Sequence, residues 1–242
     1  MPIDLYDVKI EFDIVKMTAH TKTTRHAALG GKGTGMTEGG KTKDGYHHGD
    51  LREALLVAAE EELKEKGVEG FTLRGCAKRA GVSHAAPAHH FRDADGLLTA
   101  LAAVAFTRFT AAMTARQSAA PADPRERLIA LGLGYIDFAT SEPALFRLMF
   151  ASGRPDFDDA ELQQVAMHSL GLLIQGVNAV RGGGSPGEKA AMLDVAAAWS
   201  MVHGIADLAL SGRMKFMDES GLASDLDATY RNLIERILPC VG

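Results

Sequence analysis

Apolar residues recur every three or four positions along most of the chain. Leu51, Leu55 and Leu63 follow this spacing, and it continues through the C-terminal half, whereas no strand-like alternation follows residue 45. A repeat of three to four residues places apolar side chains on one face of a helix. The pattern therefore predicts an all-α protein.

Residues that start and stop helices bound the first predicted elements. Asp50 is placed to cap a helix, Glu53 three residues later completes a capping box, and Gly67 is placed to end the helix. Thr72 is expected to cap a short second helix that ends at Gly81.

Two further caps follow directly. Ser83 is predicted to cap a second short helix over about residues 84–91, and Asp93 a longer helix that extends to about residue 117. Pro87 lies just beyond the first turn of the helix after Ser83, and this position predicts a short or tightened helix.

The C-terminal half is predicted to hold five more helices, separated by breaks such as SGRPDF and GGGSPG. Their expected ranges are 124–140, 142–151, 158–181, 186–211 and 225–238. The segment SAAPADP before them is a Pro/Ala link. Residues 1–45 are predicted to be a flexible extension, because YDVKIEF has no partner strand and LGGKGTGMTEGGKTKDG is Gly-rich. GGKGTG also lacks the G-x4-G-K-[ST] spacing of a phosphate loop.

Composition narrows the class of protein. The chain has 242 residues, 46% hydrophobic and 24% charged, with a net charge of −5 and two cysteines. No run of eighteen apolar residues and no secretory signal pattern is present, so we expect a cytoplasmic protein without a disulfide framework or a membrane partner. Residues 70–92 contain four Lys or Arg and no acid, which favours phosphate binding on this surface.

The short helices and their AGVS turn have the sequence pattern of a helix-turn-helix. Ala80 is small at the crossing, Gly81 can adopt positive φ, Val82 returns to the junction and Ser83 begins the next helix. An αα-corner of any helical bundle would share the turn, but the acid-free basic window coincides with it.

The segment FTLRGCAKRAGVSHAAPAHHFRDADGLL, residues 71–98, resembles the DNA-binding domain of TetR family transcriptional regulators. The C-terminal segments YIDFATSEPALFRLMF and AWSMVHGIADLAL resemble a TetR subfamily whose regulatory domain carries a Trp-His-Gly signature, here Trp199, His203 and Gly204. YHHGDLR, residues 46–52, fits the start of that subfamily's first helix.

After the extension at 1–45, the resemblance implies two units: a three-helix helix-turn-helix domain at 46–107, and a helical-bundle regulatory and dimerisation domain at 108–242. It also implies a homodimer that pairs the helices at 186–211 and 225–238. Such a dimer, usually a repressor, would bind a pseudo-palindromic double-stranded DNA operator and be released by a small-molecule effector. The alternative is a helical ligand-sensing or interaction protein with weakened or lost DNA binding, because Ala88 and Ala94 stand where the family commonly has Tyr and Lys.

The residues expected to contact DNA are Thr72, Arg74, Ser83, His84, Ala85, His89 and Arg92. The residues expected to line a ligand pocket are Phe146, Phe150, Trp199 and His203, although Trp199, Phe150 and His203 could equally be ordinary core.

Other chemistry is not predicted. His84 and His89 are five residues apart and His89 and His90 point about 100° apart on a helix, so they do not converge on a metal. His90 is expected to pack beside Phe91 at the helix end. Cys76 is read as a buried apolar residue more readily than as a redox switch. No Ser-His-Asp order or carboxylate pair stands out, so we expect no enzyme and no cofactor.

Overall fold

The computed structural model describes residues 48–183 and 188–238, and every regular element in these two ranges is helical. The elements are α1 (His48–Lys66), α2 (Leu73–Arg79), α3 (Ala86–Phe91), α4 (Ala94–Ala119), α5 (Pro124–Ser141), α6 (Pro143–Phe150), α7 (Ala160–Val180), α8 (Lys189–Leu210), α9 (Phe216–Glu219), a 3₁₀ turn (Leu222–Asp225) and α10 (Leu226–Ile237). The predicted all-α class is confirmed. The predicted extension at 1–45, with its YDVKIEF and GGKGTG segments, lies outside the described residues.

The five predicted C-terminal helices agree with α5, α6, α7, α8 and α10 to within three residues at each end. Two caps of the N-terminal helices are also confirmed. The Thr72 hydroxyl accepts from the Gly75 amide at 3.0 Å, and the Asp93 carboxylate accepts from the Gly96 amide at 2.8 Å. The short helix α9 and the 3₁₀ turn were missed, because this segment reads as a Gly/Ser break.

Two predicted caps are wrong. Asp50 lies inside α1, which begins at His48. Ser83 does not cap α3, since α3 begins at Ala86 after Ala85, which makes no side-chain cap. Pro87 explains the later start: it has no N–H to donate to the Ser83 carbonyl, so a helix beginning at residue 84 would lack its first hydrogen bond. Instead the Ala86 amide donates to that carbonyl at 3.0 Å, and Pro87 lies in the first helical turn.

The N-terminal unit packs α1, α2 and α3 against the first turns of α4. Its core consists of apolar side chains that are at most 7% exposed, namely Leu55, Ala59, Leu63, Phe71, Cys76, Ala77, Phe91, Leu97 and Leu98. The predicted apolar face of the first helix is therefore confirmed. Gly67, with φ of +67°, follows α1 as the predicted stop.

The central element is α4, with 26 residues. Its N-terminal turns pack against α1 and α3, and its later turns pack against α5 and α7. Helices α4 and α5 lie close together at Gly134 of α5, where a Cβ would lie 2.6 Å from the Met113 Cα and overlap it. The border expected at residues 107 and 108 falls within this continuous helix, so the two halves of the molecule share α4.

Two helices of the described chain, α4 and α8, are long and apolar enough by composition to cross a membrane. In α4 more than half of the apolar window is buried inside the protein, as in the core helix of a bundle. In α8 about a quarter of that window is buried, so this helix leaves an apolar face uncovered in a single copy of the chain.

Candidate nucleic-acid interface and ligand cavity

A tight glycine turn joins α2 to α3. Gly81 has φ of +67°, and its amide donates to the Lys78 carbonyl at 3.3 Å. The Val82 amide donates to the Ala77 carbonyl at 3.0 Å, which completes a Schellman motif. The Val82 side chain packs against the core, as predicted for the AGVS corner. The structure thus contains the helix-turn-helix arrangement at the predicted residues.

The short helix α3 has one buried and one exposed face. Pro87 and Phe91 are buried, whereas Ala85 before the helix, His89 within it and Arg92 after it are exposed. The spacing of four residues places Ala85 and His89 on the same side of the helix, and Arg92 follows at its C-terminal end. This side of α3 is exposed and open to a binding partner.

All seven residues predicted to contact DNA are exposed: Thr72, Arg74, Ser83, His84, Ala85, His89 and Arg92. Within the described ranges, the side chains of Arg74 and Arg92 form no hydrogen bond or ion pair, and the same holds for His84 and His89. These cationic and hydrogen-bonding groups are therefore not engaged by the rest of the fold.

One basic residue of the acid-free window has a structural role. Arg79 Nε donates to Glu62 Oε2 at 2.7 Å, and Arg79 also pairs with Glu65. The Glu62 side chain is buried against α2, where a Cβ at Gly75 would overlap its carboxylate. These acids raise the pKa of the Arg79 guanidinium, chiefly through the hydrogen bond with Glu62. Arg79 therefore ties α2 to α1, and the free cations of this window are Arg74, Lys78 and Arg92.

Arg92 occupies a strained backbone conformation between α3 and α4. It has φ of +64° and ψ of −63°, and it is the one non-glycine residue with positive φ in the described chain. The Asp93 amide donates to the Phe91 carbonyl at 2.8 Å, which closes a γ-turn around Arg92. Such strain persists only where the surroundings impose it, and it is frequent at functional sites.

The three histidines of this segment are separated in the way that the sequence predicted. His90 is half-buried, and its ring centroid lies 6.1 Å from that of Phe91, whereas His84 and His89 are exposed. Within residues 48–183 and 188–238, no group of three His, Cys, Asp or Glu side chains is arranged to hold a metal ion.

Cys76 is fully buried between α1 and α2 and forms no disulfide. Burial raises the pKa of its thiol to about 12, and the nearby Glu62 carboxylate adds to the rise. Because the thiolate is the reactive form, the buried thiol is unreactive. The structure supports the reading of Cys76 as a packing residue.

The C-terminal bundle contains an apolar cavity of about 60 Å³. Six helices supply its wall: α4, α5, α6, α7, α8 and α10. Aromatic side chains form much of it, including Phe106 and Phe109 from α4, Tyr135 from α5, Phe150 from α6 and Trp199 from α8.

The four predicted pocket residues do not all reach this cavity. Phe150 and Trp199 line it, whereas Phe146 and His203 do not. His203 and Phe146 lie behind Tyr135, with 5.5 Å between their own ring centroids. Two of the four residues therefore line the cavity, and helical spacing alone did not separate them from the two that lie outside it.

Tyr135 is the residue that sequence reasoning missed. Its hydroxyl shares a hydrogen bond of 2.7 Å with His203 Nδ1, and its ring stacks with Phe150 at 6.1 Å between centroids. Burial raises the pKa of the Tyr135 hydroxyl well above its usual range and lowers the pKa of His203. Both groups are therefore neutral near pH 7. The signal available was the one hydroxyl within the apolar run of residues 128–136 in α5.

The loop between α6 and α7 connects the cavity to the N-terminal unit. Arg154 Nε donates to Asp95 Oδ1 at 2.7 Å, and another guanidinium nitrogen donates to the Val68 carbonyl at 2.8 Å. The Asp156 amide donates to the Thr99 hydroxyl at 2.9 Å. This loop begins just after Phe150 of the cavity wall, so a short segment links a wall residue to the N-terminal unit.

Two family models match the chain. The model described as "Bacterial regulatory proteins, tetR family" matches residues 55–101, and "Tetracyclin repressor-like, C-terminal domain" matches residues 128–237. The chain is also similar to the HTH-type transcriptional regulator BetI of Burkholderia ambifaria, with 32% identity over 117 residues, 48% of this chain and 60% of the relative. The chain thus spans somewhat over half the length of the curated relatives it matches.

Solved structures share the fold over most of the chain. A protein of unknown function from Rhodococcus sp. RHA1 is 32% identical, with a TM-score of 0.65 over 81% of this chain and 97% of that one. A TetR-like transcriptional regulator from the same organism is 16% identical, with a TM-score of 0.57 over 80% of this chain and 96% of that one. The second likeness concerns the fold alone.

Proposed function

The chain belongs to the TetR family of bacterial regulatory proteins, and we propose that it acts as a homodimeric, DNA-binding transcriptional repressor that a small-molecule effector releases from its operator. The observation that carries this proposal is the exposed face of α3, held by the Schellman turn at Gly81 and flanked by cations that the fold leaves unpaired. Such a helix fits the major groove, and paired copies of it would read a pseudo-palindromic operator.

The predicted contact residues divide into two roles. In this proposal Arg74 and Arg92 bind phosphate oxygens, and Thr72 and Ser83 add hydroxyl contacts. His84 and His89 can donate hydrogen bonds to phosphate or to base edges, and the Ala85 methyl group can contact a thymine methyl. Because α3 bears mainly alanine and histidine on its exposed side, phosphate contacts should supply most of the affinity.

A gel shift with the promoter region beside the regulator's own gene tests DNA binding. We expect a retarded complex whose affinity falls with salt, and a loss of at least about tenfold when Arg74, His84 and His89 are changed together to Ala. Arg213→Ala, which removes an exposed cation far from α3, is the matched control. A folded dimer that retards no DNA at low salt would favour the alternative, a sensor that has lost DNA binding, as would be consistent with Ala88 and Ala94.

The dimer interface is proposed on α8 and α10. The exposed side of α8 carries Leu193 and Leu208, which are 63% and 43% exposed, and Gly204 lies between them with open space around its Cα. Leu226 of α10 is 47% exposed. Apolar side chains at helical spacing on two neighbouring helices suit a two-fold four-helix interface.

Sedimentation of variants tests this interface. Leu208→Glu should give monomers at concentrations where the unmodified chain is a dimer, because a carboxylate would be buried without a partner. Val57→Glu is the control, since Val57 is 54% exposed on α1 and outside the proposed interface. A dimer that tolerates Leu208→Glu would place the interface elsewhere.

The cavity is proposed as the effector site, with Phe146 and His203 as an outer layer behind Phe150, Tyr135 and Trp199. Occupation of the cavity would act on α4 and on Phe150, and through Phe150 on the loop that follows it. Both α4 and this loop contact the N-terminal unit. A ligand can shift the DNA-binding equilibrium only through different affinity for two arrangements of these parts.

Three finer assignments belong to this proposal. We place the chain in the subfamily with the Trp-His-Gly signature, with Trp199, His203 and Gly204 on α8. We divide it into an extension at 1–45, a DNA-binding domain at 46–107 and a regulatory and dimerisation domain at 108–242, with α4 shared. As a non-enzymatic DNA-binding regulator it would work in the cytoplasm.

A further inference from the structure

We propose that the cavity binds an uncharged, apolar molecule with an aromatic or similarly compact ring, and that it rejects both cations and anions of the same shape. This inference rests on the proposed function, because it names the chemical class of the effector at the proposed site. It is carried by the composition of the cavity wall, by the hydrogen bonds that already engage its two hydroxyl groups, and by the size of the cavity.

The wall carries no formal charge. Of the described residues that line the cavity, all are apolar except Ser169, Tyr135 and Trp199. Moving an ionised group from water into such surroundings without a counter-charge is strongly unfavourable. The described wall has no carboxylate, Lys or Arg that could supply such a counter-charge.

The two hydroxyl groups of the wall, those of Ser169 and Tyr135, already have partners inside the protein. The Ser169 hydroxyl donates to the Val165 carbonyl at 2.9 Å and accepts from the Thr110 hydroxyl at 3.2 Å. The Tyr135 hydroxyl is engaged by His203 at 2.7 Å. A ligand with several donors and acceptors would bury them unpaired, whereas a hydrocarbon-like ligand loses nothing.

The aromatic side chains of the wall favour a ring. Phe109 and Tyr135 meet edge to face with 4.9 Å between ring centroids, and Phe109 and Phe150 do so at 5.9 Å. Such edge-to-face clusters extend readily to one more ring, which gains contact energy beyond its buried area. A planar apolar ligand can join this cluster without disturbing the hydrogen bonds described above.

The size of the cavity implies that binding moves its wall. An engineered apolar cavity of about 150 Å³ accommodates benzene, whereas this cavity is about 60 Å³. An aromatic ligand must therefore displace side chains such as Phe150 and Phe106. Phe150 directly precedes the α6–α7 loop, and Phe106 lies in α4. The ligand class and the proposed release of DNA are thus linked through the same residues.

Fluorescence of Trp199 provides the readout, since Trp199 is the single tryptophan of the chain and lines the cavity. The full-length protein without DNA is titrated with ethylbenzene and with benzylammonium, which have the same shape and differ in charge. Phenyltrimethylammonium and benzoate complete the series, because aromatic walls can hold quaternary ammonium groups. We expect ethylbenzene to bind at least about tenfold more tightly than each ion.

Two variants tie the signal to the cavity. Ala166→Leu, on the wall of α7, should fill the space and weaken ethylbenzene binding at least about tenfold, whereas Gln164→Leu, exposed on the same helix, should leave it unchanged. Ala198→Val is a smaller filling change that serves if Ala166→Leu disturbs the fold, as checked by circular dichroism.

The outcomes separate this inference from the proposed function. Binding of any of the three ions as tightly as ethylbenzene would overturn the inference, as would an absence of ethylbenzene binding or binding unaffected by both filling variants. The gel shift described above is a separate measurement. If it fails while ethylbenzene binds in the cavity, the regulator proposal fails and the ligand class stands.

Discussion

Arg92 shows how one residue can carry both strain and function. Its side chain is an exposed, unpaired cation beside α3, and its backbone has positive φ in a γ-turn. The sequence identified Arg92 as a candidate phosphate contact, but it could not predict the backbone, because arginine rarely adopts this conformation. The strain follows from the sharp turn that brings Asp93 into position to cap α4.

Substitution of Arg92 separates the two roles. Arg92→Gly should stabilise the folded protein by about 1 kcal/mol, because glycine adopts positive φ without strain. The same change should weaken operator binding several-fold and reduce its salt dependence, because one phosphate contact is lost. Denaturant unfolding and fluorescence anisotropy measure the two effects. Arg92→Lys is the control that keeps the charge, and equal operator affinity for Arg92→Gly and the unmodified chain would remove Arg92 from the interface.

The buried Cys76 thiol is predicted to be protected from thiol reagents in the folded protein. A rise in thiol pKa from 9.0 to about 12 leaves about a thousandfold less thiolate at pH 8. In a Cys240→Ser background, Cys76 should react with a thiol reagent only as fast as the protein unfolds, and immediately in denaturant. Gln164→Cys in the same background supplies an exposed thiol for comparison. Native-state labelling of Cys76 at the rate of that exposed thiol would show that the α1–α2 packing is open in solution.

Among the elements of the fold, the longer helices were predictable, whereas α9 and the 3₁₀ turn were not. Helix ends were predictable at two of the positions where a side chain caps the helix. Thr72 and Asp93 cap as expected, because each hydroxyl or carboxylate meets an amide three residues later. Ser83 fails because the missing N–H of Pro87 moves the start of α3, a conflict between two local rules. Tyr135 was missed because its partner His203 is 68 residues away, and spacing within one helix does not report such pairs.

The α6–α7 loop is the element we expect to transmit the effector signal. Arg154 joins it to Asp95 and to the Val68 carbonyl, and its guanidinium lies 5.9 Å from the centroid of the Phe71 ring. Arg154→Ala should leave ethylbenzene binding to the free protein unchanged and should reduce, by about threefold or more, the effect of ethylbenzene on operator affinity. Fluorescence anisotropy gives the operator affinity with and without ethylbenzene, and the ratio of the two affinities measures this effect.

The matched control for the loop is Arg213→Ala, because Arg213 is exposed and has no side-chain partner within the described ranges. It should leave the ratio unchanged. If Arg154→Ala behaves in the same way as this control, the signal must pass through α4 alone.

At the scale of the whole molecule, the sequence predicted the two-part helical design but not how the parts are joined. The shared helix α4 was visible as one long apolar pattern, whereas the cavity depends on side chains from six helices and no local pattern reports it. The exposed apolar face of α8 could not be predicted for the same reason. The apolar residues of α8 are visible in the sequence, but which of them stay exposed depends on how the other helices pack around it.

Hydroxyl-radical footprinting of the protein on its own promoter tests whether it binds DNA as a two-fold dimer. A two-fold dimer with an α3 helix in each of two major grooves should protect two patches related by a dyad, with centres about one helical turn or a multiple of it apart. Protection should disappear with Arg74, His84 and His89 changed together to Ala and persist with Arg213→Ala. A single asymmetric patch, or no protection by a folded dimer at low salt, would contradict operator binding by a two-fold dimer through α3.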